Sequence, residues 1–226
     1  MHVVQKRLVR LFIAGGVLTG AIGAPLLLAA GTAEAAGTPG SSTCGTSGTP
    51  GTTCSLIGTL GLTGGLLTLT GPTALTWSAT ESGLNLALVD ATTAHQSYVV
   101  SDATGLGLGW HVTVSATTFQ TSGGALTLPS NSFSTNGSTT SISNTTTPPF
   151  ACTTGATCTT PTDTTAYPVT FTTAASPTAS NIFDDSAATG IGSVTIGPVG
   201  WWLNIPANQG PGTYTSTITM QILSTP

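Results

Sequence analysis

The run Tyr98–Phe119 reads YVVSDATGLGLGWHVTVSATTF, and its second half alternates without a break. Trp110, Val112, Val114 and Ala116 fall on one face; His111, Thr113, Ser115 and Thr117 fall on the other. Strict period two with β-branched and aromatic residues marks a half-buried strand. Just ahead of it, Asp102-Ala-Thr-Gly105 with Gly107 and Gly109 supplies turn chemistry, an Asx-type start followed by glycines free to take positive φ. The run therefore predicts a central hairpin: strand Tyr98–Ser101, Gly-rich turn, strand Trp110–Thr117.

Further strand candidates lie on both sides, separated by Gly, Pro, Asn or Asp. Upstream they are Ser55–Leu62, Leu66–Thr70, Thr73–Thr80, Leu84–Asp90 and Gln96–Ser101. Downstream come Ala125–Leu128, Tyr167–Thr173, Asn181–Phe183, Ser193–Ile196, Val199–Ile205 and Gly212–Leu223. Thr73–Thr80 sets Thr73, Leu75, Trp77 and Ala79 against Ala74, Thr76, Ser78 and Thr80. The last candidate sets Tyr214, Ser216, Ile218, Met220 and Ile222 against an unbroken Thr213, Thr215, Thr217, Thr219 and Gln221. No window carries an apolar stripe of period 3.6 over a helical length. Many short strands without helices predict an all-β fold, an antiparallel β-sandwich of Ig-like or Greek-key type. Pro129–Ala166, dense in Ser, Thr, Asn and Pro, reads as a long insertion, mobile or functional. Asn136-Gly-Ser138 and Asn144-Thr-Thr146 match the N-glycosylation pattern, but plain loop composition accounts for them.

Residues 1–35 read as a signal peptide, with Lys6, Arg7 and Arg10, the apolar run Leu11–Ala30 and an Ala33-Glu-Ala35 cleavage site; the alternative is an uncleaved anchor, since Leu11–Ala30 is about long enough to span a bilayer. Residues 36–54 then form a Gly/Thr/Pro-rich linker, and 55–226 the β-domain. All three Lys and Arg residues of the chain precede residue 36. The remainder holds six acids and no base, Glu81, Asp90, Asp102, Asp163, Asp184 and Asp185, so its net charge is 0 − 6 = −6. A chain with no basic patch cannot neutralise phosphates, which excludes nucleic-acid binding of the usual kind. Four cysteines behind an export signal imply disulfides. Of the three possible pairings, the local one (Cys44 with Cys54, Cys152 with Cys158) is favoured by short separation. The spacings do not suit a zinc site.

Candidate constellations are few. His95, Asp102 and Ser122 follow the chain order of a serine-protease triad, but all three lie within one short stretch, whereas such residues come from well-separated loops. Glu81 and Asp90 flank one strand and could form a glycosidase pair, though solubilising acids explain them as well. Asp184-Asp185 before a Gly-containing loop could take a cation through oxygen ligands. His111 falls on the polar face of its strand. Trp77 and Trp110 fall on apolar faces. Trp201 and Trp202 are adjacent and must point opposite ways; Trp201 shares parity with Leu203 and Ile205, which leaves Trp202 outward beside Asn204. An outward tryptophan is the strongest binding candidate, since aromatic faces stack on sugars or anchor interfaces.

VVSDATGLGLGWHVTV (Val99–Val114) and GTYTSTITMQILSTP (Gly212–Pro226) resemble the two signature elements of the WxL domain of Gram-positive surface proteins. Trp110-His-Val112 stands for the first W-x-L. Met220-Gln-Ile222 stands where the second is expected, without its tryptophan. The resemblance spans Ser55–Pro226 and implies a secreted, non-enzymatic β-domain associated non-covalently with the cell wall. With Trp202, the candidate binding residues are Trp110, Tyr214 and Met220. No cofactor or metal is expected, and no membrane contact once the signal is cleaved. Expected partners are wall polymer (peptidoglycan) or other surface proteins, with self-association possible. A self-assembling coat or filament subunit and a secreted carbohydrate-active hydrolase are the alternatives.

Overall fold

The computed structural model describes residues 58–224. The expected signal peptide, the linker, Cys44 and Cys54 lie outside the described residues, as do the first residues of the Ser55–Leu62 candidate, whose described part carries no strand. Eleven strands follow: β1 Leu67–Thr70, β2 Leu86–Val89, β3 Tyr98–Asp102, β4 Trp110–Ala116, β5 Phe133–Asn136 and β6 Phe150–Cys152, then β7 Val169–Phe171, β8 Ser180–Asp185, β9 Gly192–Ile196, β10 Gly200–Ile205 and β11 Ile218–Ser224. They form three sheets, ordered β1-β3-β9-β6, β2-β10-β5-β7 and β11-β4-β8. Every pairing is antiparallel. The fold is an all-β sandwich.

The alternation in β4 holds: Trp110, Val112, Val114 and Ala116 are all buried. The hairpin does not. β3 pairs with β1 and β9, whereas β4 pairs with β11 and β8, so the Gly-rich turn carries the chain from one sheet to another. The turn chemistry itself is as read. Asp102 Oδ1 accepts from Thr104 N at 2.9 Å, and Gly105, Gly107 and Gly109 all take positive φ. At Gly109 a Cβ would meet the carbonyl oxygen of Asp185 at 2.6 Å, so the crossing needs glycine there. Local sequence specifies the bend; it does not specify which edge the next strand will find.

The segment 129–166 is not an insertion. It supplies β5, between β10 and β7 in the second sheet, and β6 at the edge of the first, tied by the Cys152–Cys158 disulfide. β5 is Phe-Ser-Thr-Asn, buried throughout although three of its residues are polar. Ladder bonds and the Thr135 hydroxyl, which donates to Gly200 O at 3.0 Å, satisfy that polarity. Two other strand candidates fall short. Ala125–Leu128 makes only an isolated bridge through Thr127, and Thr73–Thr80 enters no sheet at all.

Two aromatic groups fill the interior. Trp110 stacks on Phe183 with centroids 5.5 Å apart, and Phe150 meets Phe183 edge-on at 5.5 Å, joining the first sheet to the third. Phe133 anchors the other group, with Phe171 at 4.7 Å, Phe119 at 5.8 Å and Trp201 at 6.1 Å. From that second group, Phe119 and Trp201 reach the surface of a cleft.

Candidate functional site

A cleft of about 1120 Å³ opens between three pieces of chain. One wall is the unpaired strap Gly71–Glu81. A second is the face of β2 and β10 that carries Leu86, Leu88, Leu203 and Ile205. The third is the run from Gln209 through β11, with Tyr214, Ile218 and Met220. Its size lies just above the usual range for ligand pockets, about 300–1,000 Å³. The walls are apolar but unfinished. Leu86, Leu88, Ile205, Tyr214, Ile218 and Met220 are each only half-buried, whereas Trp201 beneath them is 1 % exposed.

The alternation read in Thr73–Thr80 survives without a ladder. Leu75 and Trp77 turn inward and are half-buried, while Ala74, Thr76 and Ser78 are exposed. Two bonds hold the strap. Trp77 Nε1 donates to Trp201 O at 3.0 Å, with its ring edge-on to Phe119 and Phe133, both at 5.9 Å. The backbone N–H of Thr76 donates to Asp90 Oδ2 at 2.8 Å.

Asp90 is fully buried, and its carboxylate organises this corner. Oδ1 accepts from Thr92 N at 2.8 Å, and His95 Nδ1 lies 2.8 Å from Oδ2. Burial opposes the charge, but the N–H groups of Thr76 and Thr92, together with His95, outweigh it and hold the Asp90 pKa below the ordinary carboxylate value. His95 is thus engaged with Asp90 and not with Asp102, which bonds to Thr104 at the far end of β3. The three residues of the possible triad are not brought together. Nor are Glu81 and Asp90 alike: Glu81 is exposed and Asp90 is a structural acceptor.

Trp202 is a correction. It is 4 % exposed, not outward, and its indole N–H donates to Ser138 O at 2.9 Å and approaches Asn136 Oδ1 at 3.2 Å. The covering chain comes from the segment read as an insertion, whose course the strand parity of Trp202 could not show. Asn136 is equally committed, its amide donating to Ser141 O and Ile142 O at 3.0 Å each, so its side chain is internal and not a glycan acceptor. Trp110 is fully buried with its N–H on Gly190 O at 3.2 Å, and contributes packing, not contact surface. Of the four binding candidates, Tyr214 and Met220 face the cleft. The Tyr214 hydroxyl donates to Gly210 O at 2.6 Å and accepts from Gln209 Nε2 at 2.6 Å, which fixes the ring at the rim.

The Asp184-Asp185 pair splits. Asp185 is buried, with Oδ1 accepting from Thr162 N at 2.8 Å and from the Thr189 hydroxyl at 2.6 Å. Desolvation raises its pKa, those two bonds lower it, and the charges of Asp102 and Asp184 raise it further, for a net upward shift. Asp184 lies on the other face, opposite His111 in the β4–β8 register. Among the described residues no group of three or more His, Cys, Asp or Glu side chains is placed to hold a metal.

The cleft is the candidate site the geometry offers, and most of it escaped a residue-by-residue reading. Leu86, Leu88, Ile205 and Ile218 look like ordinary core positions in sequence, and only the gap above them makes them a site. Compared with family models, with curated proteins and with solved structures, the chain gives no match.

Proposed function

We propose that this is an exported, non-enzymatic domain of the cell surface that works by binding, and that the cleft under the Gly71–Glu81 strap takes an extended, uncharged chain. The observation that carries this reading is the unfinished apolar lining: six half-buried side chains facing open space of about 1120 Å³. Buried apolar area is worth about 25 cal/mol per Å², so a surface of this kind rewards an occupant. The signal-peptide-like leader and the WxL-like elements support binding at the wall, with wall polymer or another surface protein as partner. Those two elements are also neighbours in the fold, since Ile222 pairs with Val112 and Ser224 with Trp110 across the β4–β11 ladder.

With six acids and no base beyond residue 35, attraction to an anionic wall cannot be Coulombic. Apolar and hydroxyl contacts must supply it, and these are insensitive to screening. Retention on purified cell walls tests the reading. It should hold or rise up to about 1 M NaCl, where the screening length falls to roughly 3 Å, and Leu88→Asp and Tyr214→Ala should each lower it several-fold. Elution by moderate salt, or full retention of both variants, would count against it.

A second reading, self-assembly, is favoured by one specific feature. Among the described residues the strap backbone Thr73–Thr80 makes a single hydrogen bond, Thr76 N to Asp90. Unpaired backbone beside an apolar cleft is the ordinary condition for accepting a strand.

A further inference from the structure

We infer that the cleft is a strand-acceptor site, and that its strand is the segment Ser55–Leu62 of a second copy of this chain. The inference rests on the cleft being the binding surface and adds what fills it.

The acceptor side offers both things a strand needs. Backbone partners come from the strap and from β2. Among the described residues, Thr73–Thr80 leave all but one of their backbone N–H and C=O groups without backbone or carboxylate partners, and β2 is the edge of its sheet, bonded there to β10. Side-chain pockets come from the half-buried row Leu86, Leu88, Ile218 and Met220, already spaced at period two along β2 and β11. Peptides that add to a sheet edge use this combination, main-chain bonds for affinity and alternate side chains for specificity.

The donor is argued from its sequence and its exposure. In SLIGTLGL, Leu56, Leu60 and Leu62 share one parity with Gly58, and Ile57 falls on the other with Ser55, Thr59 and Gly61. Leu60 is 85 % exposed and Leu62 90 %, the two most exposed large apolar side chains among the described residues. Stretches like this are usually covered by something. No Asp, Glu, Lys or Arg occurs between Glu34 and Glu81, so inserting the segment desolvates no charge. Ser55–Leu62 is as long as the Thr73–Thr80 part of the strap it would lie beside, eight residues or about 26 Å at 3.3 Å per residue.

A second copy, not the same one, follows from where the segment joins the domain. It enters β1 at Leu67, which pairs with Asp102, while the cleft is lined from Leu69 onward, toward the opposite end of β1, where a side chain at position 71 would meet Met220. Between Leu62 and Leu67 stand only Thr63, Gly64, Gly65 and Leu66, and Gly65 and Leu66 are already bonded to Ala103. Head-to-tail insertion between copies is a heterologous contact, and it propagates into chains.

The test uses the full chain carrying a photoreactive benzophenone amino acid at position 62, a site whose exposure keeps the fold intact. Mixed one-to-one with unmodified, ¹⁵N-labelled chain and illuminated, it should cross-link to cleft residues, Met220 and Leu88 foremost. Equal competition for acceptors puts about half of those cross-links on heavy chain. Leu60→Asp in the probe-bearing copy should cut the yield at least several-fold while leaving the melting temperature unchanged. Cross-links confined to the light chain would show self-insertion and overturn the second-copy assignment. Cross-links outside the cleft, or none, would overturn the acceptor site. Wall retention measured on the same samples separates the two levels. Retention that still depends on Leu88 and Tyr214 leaves the cleft as the binding surface with a different occupant, whereas loss of that dependence removes both.

Discussion

The backbone N–H of Thr76 is held by the carboxylate of Asp90, fourteen residues on, at 2.8 Å. With the Trp77 indole bond to Trp201 O, this bond keeps the strap over the cleft, and the acceptor also fixes the turn that follows β2 through Thr92 and His95. Asp90→Asn replaces one acceptor oxygen by a donor facing donors. Loss of charge-assisted bonds at a buried site costs on the order of 3 kcal/mol, or roughly 10 °C in melting temperature for a domain of this size. Hydrogen exchange in Thr73–Thr80 should quicken by more than the global loss accounts for. Thermal melts combined with exchange mass spectrometry check both, and unchanged exchange in the strap would show that Trp77 alone holds it.

The same residue sets the acid limit. The folded Asp90 pKa lies below its unfolded value, about 3.9. Its contribution is therefore complete above that value and is lost as pH falls through the folded pKa. The wild-type melting temperature should drop below about pH 4, and the Asp90→Asn protein should show less of that drop.

Asp185 acts with the opposite sign. Its folded pKa is raised, chiefly by burial, so ionisation costs stability above the unfolded value and the cost is relieved as pH falls toward about 4. Asp185→Asn imitates the protonated acid while keeping an acceptor for Thr162 N and the Thr189 hydroxyl. It should match or exceed the wild type in melting temperature at neutral pH, and its melting temperature should be flatter between pH 7 and 4. A variant several degrees less stable at pH 7 would mean that the charged form is the one the fold needs.

Trp202 and Tyr214 should separate stability from binding. Trp202→Phe removes the indole donor to Ser138 and Asn136 and should cost about 1–3 kcal/mol, with wall retention of the folded fraction unchanged. Tyr214→Ala should do the reverse, weakening retention more than stability. Retention that followed Trp202 would return the binding face to the outer side of β10.

Much of this was legible in the chain. Period two in β4 and β11 gave the strand type and the buried faces, because alternation is imposed by the pleat itself. Tyr214 and Met220 at the cleft follow from that parity. Pairing was not legible. Tyr98–Asp102 and Trp110–Ala116 each have two chemically equivalent edges, and the glycines between them fix a bend and not a partner. β5 hid because Ser134, Thr135 and Asn136 are polar, and their burial is satisfied by neighbours that only the fold brings near. Trp202 was misplaced for the same reason. Its parity is opposite to Trp201, as read, but the side that looked like solvent is closed by Asn136–Ser138. The cleft lies beyond any such reading, since it consists of a strand-like segment, Thr73–Thr80, that has found no partner strand.

Hydrogen exchange of Thr73–Thr80 with and without bound partner is the most direct measurement of whether the cleft is where this protein binds. The amides should be poorly protected in the isolated chain, apart from Thr76. They should gain protection when the chain is bound to purified wall or assembled with further copies, together with Leu86–Val89. Binding or assembly that leaves both segments exchanging as before would contradict the account.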